Sequence, residues 1–171
     1  MNFIKTKKAS SKYPVGISIA CAVIYASALF WRYGTGNVFI QGLVLLFVLM
    51  YASISDIRSR TVGNFLSVEI LILALIYLPA DKILSSLAAA IIIFILQMIL
   101  MSWIPMGGGD VKITTAAAFL LGIEKGIIFY LIGFMLAMLY GIGRSLIAAK
   151  TNEGIPMIPF FSIAILIMFL V

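Results

Sequence analysis

From Ile83 to Ile104 the chain runs for twenty-two residues without one charged side chain. About 20 consecutive apolar residues are what a helix needs to cross the hydrocarbon of a bilayer. Six further apolar runs cover Pro14–Trp31, Val38–Ser55, Phe65–Pro79, Val111–Gly122, Gly126–Ala149 and Ile158–Val171. They are apolar on every side and lack an amphipathic period, which at this length points to lipid as the surrounding medium. The connectors Arg32–Asn37, Asp56–Asn64, Ala80–Lys82, Pro105–Asp110, Ile123–Lys125 and Lys150–Met157 are short, and most hold Gly, Pro or Asn, as helix ends do. The pattern predicts an all-α fold: a polytopic membrane bundle of about seven transmembrane helices, forming one domain over residues 1–171. The shorter runs Phe65–Pro79, Val111–Gly122 and Ile158–Val171 are expected to begin within flanking loop residues or to be half-buried.

Composition removes the main competitor. Of the 171 residues 64% are hydrophobic and 11% charged, whereas a soluble domain carries about a quarter charged. Seven helices take about 140 residues and leave no room for a separate soluble domain. The chain has no His, which excludes a Ser-His-Asp triad, a HExxH zinc site and imidazole-ligated haem. Its one cysteine, Cys21, allows neither an intrachain disulfide nor a CxxC zinc knuckle. Enzyme chemistry is thereby narrowed to the six carboxylates, or to Ser with Lys, and no metal or cofactor is expected.

The net charge of +6 reads as topology, not as nucleic-acid binding. With the N-terminus inside and seven alternating spans, the cytoplasm receives Lys5, Lys7, Lys8, Lys12, Arg58, Arg60, Lys112, Arg144 and Lys150. The outside receives only Arg32, Lys82 and Lys125, so nine of the 12 basic residues lie inside. The bilayer is the expected partner, with some attraction to anionic lipid. A second reading takes the basic start, the apolar stretch and Ala26-Ser27-Ala28 as a secretory signal with a cleavage site.

Two acids stand apart. Asp56 ends the second run and Asp110 opens the fifth, directly after Gly107-Gly108-Gly109. The topology sets both at cytoplasmic helix ends, at similar depth, so two helical hairpins can bring them face to face. Paired carboxylates share a proton; the ionised one acts as a base toward water and the protonated one as an acid toward a carbonyl oxygen or leaving amine. Three glycines permit an irregular path and a close backbone approach at the membrane edge, where an extended peptide could dock. Taken singly, Asp56 with Arg58 and Arg60 also reads as an ordinary charged loop, and Asp110 as a helix cap. Glu69 and Gln97 lie inside apolar runs. A carboxylate there normally faces the bundle interior or water, and Arg144 is the candidate partner of Glu69.

Gly107-Gly108-Gly109-Asp110 matches the GxGD signature of membrane aspartic proteases, and Asp110-Val111-Lys112 resembles the form seen in type IV prepilin peptidases. Asp56, Arg58, Arg60 and then Val62-Gly63-Asn64 resemble that family's Asp, basic stretch and Ile-Pro-Asn. Ile155-Pro156-Met157-Ile158-Pro159-Phe160 is similar to its Ile-Pro-Phe-x-Pro-Phe segment. Gly63 and Met157 depart from the usual Pro and Phe. The resemblance covers about residues 38–171 and implies a six-helix core there, with 1–37 a tail and an extra helix. It implies Asp56 and Asp110 as catalytic aspartates at the cytoplasmic face of the inner membrane. Gly107, Gly108, Gly109, Asn64, Lys112, Pro156, Pro159 and Glu69 are then candidates for substrate positioning. The expected substrate is a type IV pilin-like precursor with a basic leader. Without paired CxxC motifs the chain resembles the short, Tad/Flp-type form, so peptidase activity is expected without N-methylation. Other readings are a different GxGD protease and a non-catalytic pilus-assembly component. The oligomeric state is left open.

Overall fold

The computed structural model describes residues 26–27, 29–32, 36–59, 63–102, 107–147 and 156–170. Within them lie helices α1 (Asn37–Ser59), α2 (Asn64–Tyr77), α3 (Ile83–Met101), α4 (Gly108–Ile147) and α5 (Ile158–Leu170), with a 3-10 turn at Ala80–Lys82 leading into α3. No strand occurs among the described residues. Three stretches, Asn37–Ile57, Ala80–Met101 and Gly108–Ser145, are long and apolar enough to cross a membrane, while Asn64–Tyr77 and Ile158–Phe169 are shorter apolar helices. The protein is a helical membrane bundle. The basic N-terminus and most of the first apolar run, including Cys21, lie outside the described residues. Of that run Leu29 is buried, and its side chain lies close over Gly42 of α1.

Helix α4 is two helices in one. Gly122 has φ 76° and ψ −179°, a conformation open to glycine and strained for any other residue. The chain doubles back there. A Cβ on Gly126 would lie 3.0 Å from the carbonyl oxygen of Ala118 and 3.2 Å from its Cα, so the two arms touch backbone to backbone. The expected connector Ile123–Lys125 is therefore corrected: the turn is Gly122 alone, and 123–125 already belong to the second arm. Its Ile123 N–H donates to Ser85 Oγ at 3.4 Å, so α3 supplies an acceptor that the broken helix lacks. Counted as arms, the described core has six helical segments. Gly122→Ala is expected to destabilise the fold by about 1–3 kcal/mol through backbone strain. Its Cβ would meet only Ser86 Oγ at 3.7 Å and Ser85 Oγ at 3.8 Å, both ordinary contacts. A thermal midpoint in detergent equal to that of the parent protein would contradict this.

Helix α4 is the hub. Helices α2, α3 and α5 all pack on it, and α1 packs on α2 and α5. Leu45, Leu49, Ile70, Ile93, Ile113 and Phe161 meet in one core. Small residues Ala116, Ala117 and Ala118 on the first arm let neighbouring helices approach closely, the usual way of packing inside lipid, where helix association gains little from the hydrophobic effect. Outward-facing side chains are large and apolar: Leu75 is 73% exposed and Leu84 77%. Such surfaces suit hydrocarbon, not water.

Candidate active site

The C-terminal end of α1 and the N-terminal ends of α2, α4 and α5 gather at one end of the bundle. Helix α4 begins with Gly107 as its cap: the N–H groups of Asp110 and Val111 donate to its carbonyl oxygen at 3.0 and 3.4 Å. In return, Asp110 Oδ2 accepts from the Gly107 N–H at 3.3 Å. An acidic side chain three residues in that reaches back to the capping N–H is half of a capping box, and it holds the carboxylate over the helix start. A side chain at residue 107 would crowd this contact. A Cβ there would stand 3.1 Å from Asp110 Oδ2. At Gly108 a Cβ would meet nothing within 4 Å, so that side of the turn is open. Gly109 is half-buried.

Asp56 is held from the opposite side. It lies in the last turn of α1, and its Oδ2 accepts from the Ile158 N–H at 3.3 Å. Met157 caps α5, its carbonyl oxygen receiving the N–H groups of Phe160 and Phe161 at 3.1 and 3.4 Å. The Ile158 N–H is thus one of the donors a helix start cannot use internally. Pro159 follows at a first-turn position where the missing N–H costs nothing. Pro156, half-buried, directly precedes Met157. The third motif stretch thereby delivers a donor to the first aspartate. Since Met157 acts through its backbone, its departure from the family's Phe leaves the cap intact.

Both carboxylates are shielded, Asp56 at 6% and Asp110 at 7% exposure, and they are near enough to interact electrostatically. Lys112 Nζ donates to Asn64 Oδ1 at 3.0 Å on the exposed rim, joining the starts of α2 and α4. The structure does not bring Glu69 inward. It is exposed on a stripe with Phe65, Val68 and Ile72, while Leu66, Ser67, Ile70 and Leu73 face the bundle. Gln97 is fully buried and bonded to Thr114, a partner the apolar pattern around it did not single out. No cluster of metal-ligating side chains occurs among the described residues.

The profile of the type IV leader peptidase family matches residues 43–142. The chain belongs to this family. The matched span contains both aspartates, the Asn64–Lys112 pair and the glycine run; helix α5 lies beyond it. No characterised protein and no solved structure gave a significant match. Membership makes this a prepilin leader peptidase-like protease of the membrane, with a pilin-like precursor as its substrate in general terms.

Proposed function

We propose that this leader peptidase family protein is an aspartic endopeptidase that removes the basic leader of Flp-type pilin-like precursors at the cytoplasmic face of the inner membrane, with Asp56 and Asp110 as its catalytic pair. One observation carries the reading: two shielded carboxylates from different helices, each held by a main-chain N–H at a helix start, gather at one end of the bundle. The ionised member takes a proton from water as the oxygen attacks the scissile carbonyl. The protonated member donates to the carbonyl oxygen, and a proton then passes to the leaving amine as the C–N bond breaks. The open side at Gly108 suits an extended backbone. Asn64 and Lys112 border the site as polar groups for the peptide, while the Pro156–Pro159 stretch shapes the α5 start behind Asp56. Neither metal nor cofactor enters this chemistry.

The test is leader removal from such a precursor by the purified protein in liposomes, read by mass spectrometry of the new N-terminus. A single cut at the junction of leader and apolar helix is expected. No methyl group is transferred to the new N-terminus when a methyl donor is added, and Cys21→Ala processes normally. An intact precursor would overturn the assignment, and a methylated product would overturn the short-form reading. Orientation has its own check: a reporter fused at Lys82 is expected to read as external, because the basic residues concentrate at the other end. An internal reading there would move the aspartates to the wrong side of the membrane.

A further inference from the structure

One helical turn deeper than each aspartate lies a buried polar contact that joins two helices. Under Asp110 it is Gln97 with Thr114. Gln97 Nε2 donates to Thr114 Oγ1 at 2.7 Å, and the Thr114 hydroxyl lies 2.7 Å from the Asp110 carbonyl oxygen. The same hydroxyl is 3.0 Å from Gln97 Oε1 and 3.3 Å from the Val111 carbonyl oxygen. Under Asp56 it is Ser53 with Ser162. Their hydroxyls are 2.6 Å apart; Ser53 donates to the Leu49 carbonyl oxygen at 2.7 Å. Ser162 reaches the Leu49 and Ile158 carbonyl oxygens, each at 3.1 Å.

These contacts are placed where they govern the carboxylates. Thr114 grips the peptide of Asp110 itself and ties the first turn of α4 to α3. Ser162 grips the residue whose N–H holds Asp56 and ties the first turn of α5 to α1. All four side chains are buried, Gln97 at 0% and Thr114 at 1% exposure and Ser53 and Ser162 at 8% each. Polar groups so placed in a membrane bundle are tolerated when satisfied by partners on neighbouring helices. Apolar pairs of the same shape can pack such positions nearly as well, so holding the bundle together does not by itself explain these polar ones. What a hydrogen bond adds over apolar packing is register: it favours one relative placement of two helices.

We infer that Gln97 with Thr114, and Ser53 with Ser162, are positioning residues that set the separation of the two aspartates by locking the helix starts that carry or hold them. The inference rests on the dyad reading above.

The decisive variants replace both members of a pair by apolar groups of similar shape, Gln97→Leu with Thr114→Val, and Ser53→Ala with Ser162→Ala. Removing both partners leaves no buried group unsatisfied, so stability is expected to hold. For each double variant kcat is expected to fall about tenfold to a hundredfold, as for a small misplacement of catalytic groups. KM stays unchanged, since none of the four meets the substrate. Thr114→Ser, which keeps the hydroxyl, is expected to retain most of kcat while Thr114→Val does not. Parental kcat in both double variants would overturn the inference, as would a change confined to KM. Loss of the folded state in both would assign the pairs to stability alone and overturn it too. Absence of cleavage by the unmodified protein in the same assay would instead remove the catalytic reading on which this role depends.

Discussion

Asp56→Asn and Asp110→Asn are each expected to reduce leader cleavage to background while the protein still inserts and folds. The amide is nearly isosteric with the carboxylate and can keep the hydrogen bond received from Ile158 or from Gly107. It can neither accept the proton of an attacking water nor donate a shared acid proton. The double variant is expected to be no worse than either single one, because groups that act as a unit lose their effect together. In the unmodified protein, cleavage is expected to follow pH as a bell whose two limbs belong to the pair and not to either residue. Near-normal cleavage by one well-inserted single variant would sink the dyad. So would losses that multiply in the double variant.

Gly133→Val is expected to cost the protein its fold at ordinary temperature, with Gly133→Ala a milder version. Gly133 sits on the second arm of α4, where a Cβ would fall 2.7 Å from Phe161 Cε1 and 3.1 Å from Cγ. That ring cannot step aside easily. It is fully buried, stacked on Tyr130 with centroids 5.6 Å apart and tilted against Phe129 at 5.5 Å. Overpacking of this kind costs about 1–3 kcal/mol for small additions and more for branched ones. Phe161 lies in the first turn of α5, three residues after Ile158, so relief of the clash moves the helix start that holds Asp56. Activity is therefore expected to fall even in Gly133→Ala molecules that remain folded. Adding Phe161→Leu opens space and is expected to recover part of the loss, since contacting residues are not independent. Parental stability and cleavage in Gly133→Ala alone would contradict the packing argument.

Apolar runs translated into helices with little error because lipid leaves a backbone few other options. The Asn64, Gly108 and Ile158 starts lie within a few residues of the expected boundaries, and Asp56 and Asp110 stood out because acids are rare in such a chain. Tertiary detail was not. Gly122 looks like any glycine near a connector, and only its positive φ shows that the turn is one residue long. Glu69 was expected to face the bundle interior or water, because lipid excludes charge, and the helical stripe it occupies is exposed. Thr114, Ser53 and Ser162 resemble ordinary hydroxyls bonded four residues back along their own helices. Their partners lie on other helices, 17 positions away for Thr114 and 109 for the two serines, and leave no local trace. The donor to Asp56 is a main-chain N–H, which no side-chain pattern announces, although the prolines around it marked the segment.

The bond between Ile158 and Asp56 spans 102 positions of sequence, and this has a consequence for biosynthesis. A nascent chain threads α1 and the first arm of α4 into the bilayer well before residue 158 leaves the ribosome. During that interval both carboxylates are already embedded, but the Ile158 N–H has not yet reached Asp56. If the two aspartates are the catalytic pair proposed above, chains halted at that stage would carry them without their alignment, and proteolysis would switch on only when the distal helix docks.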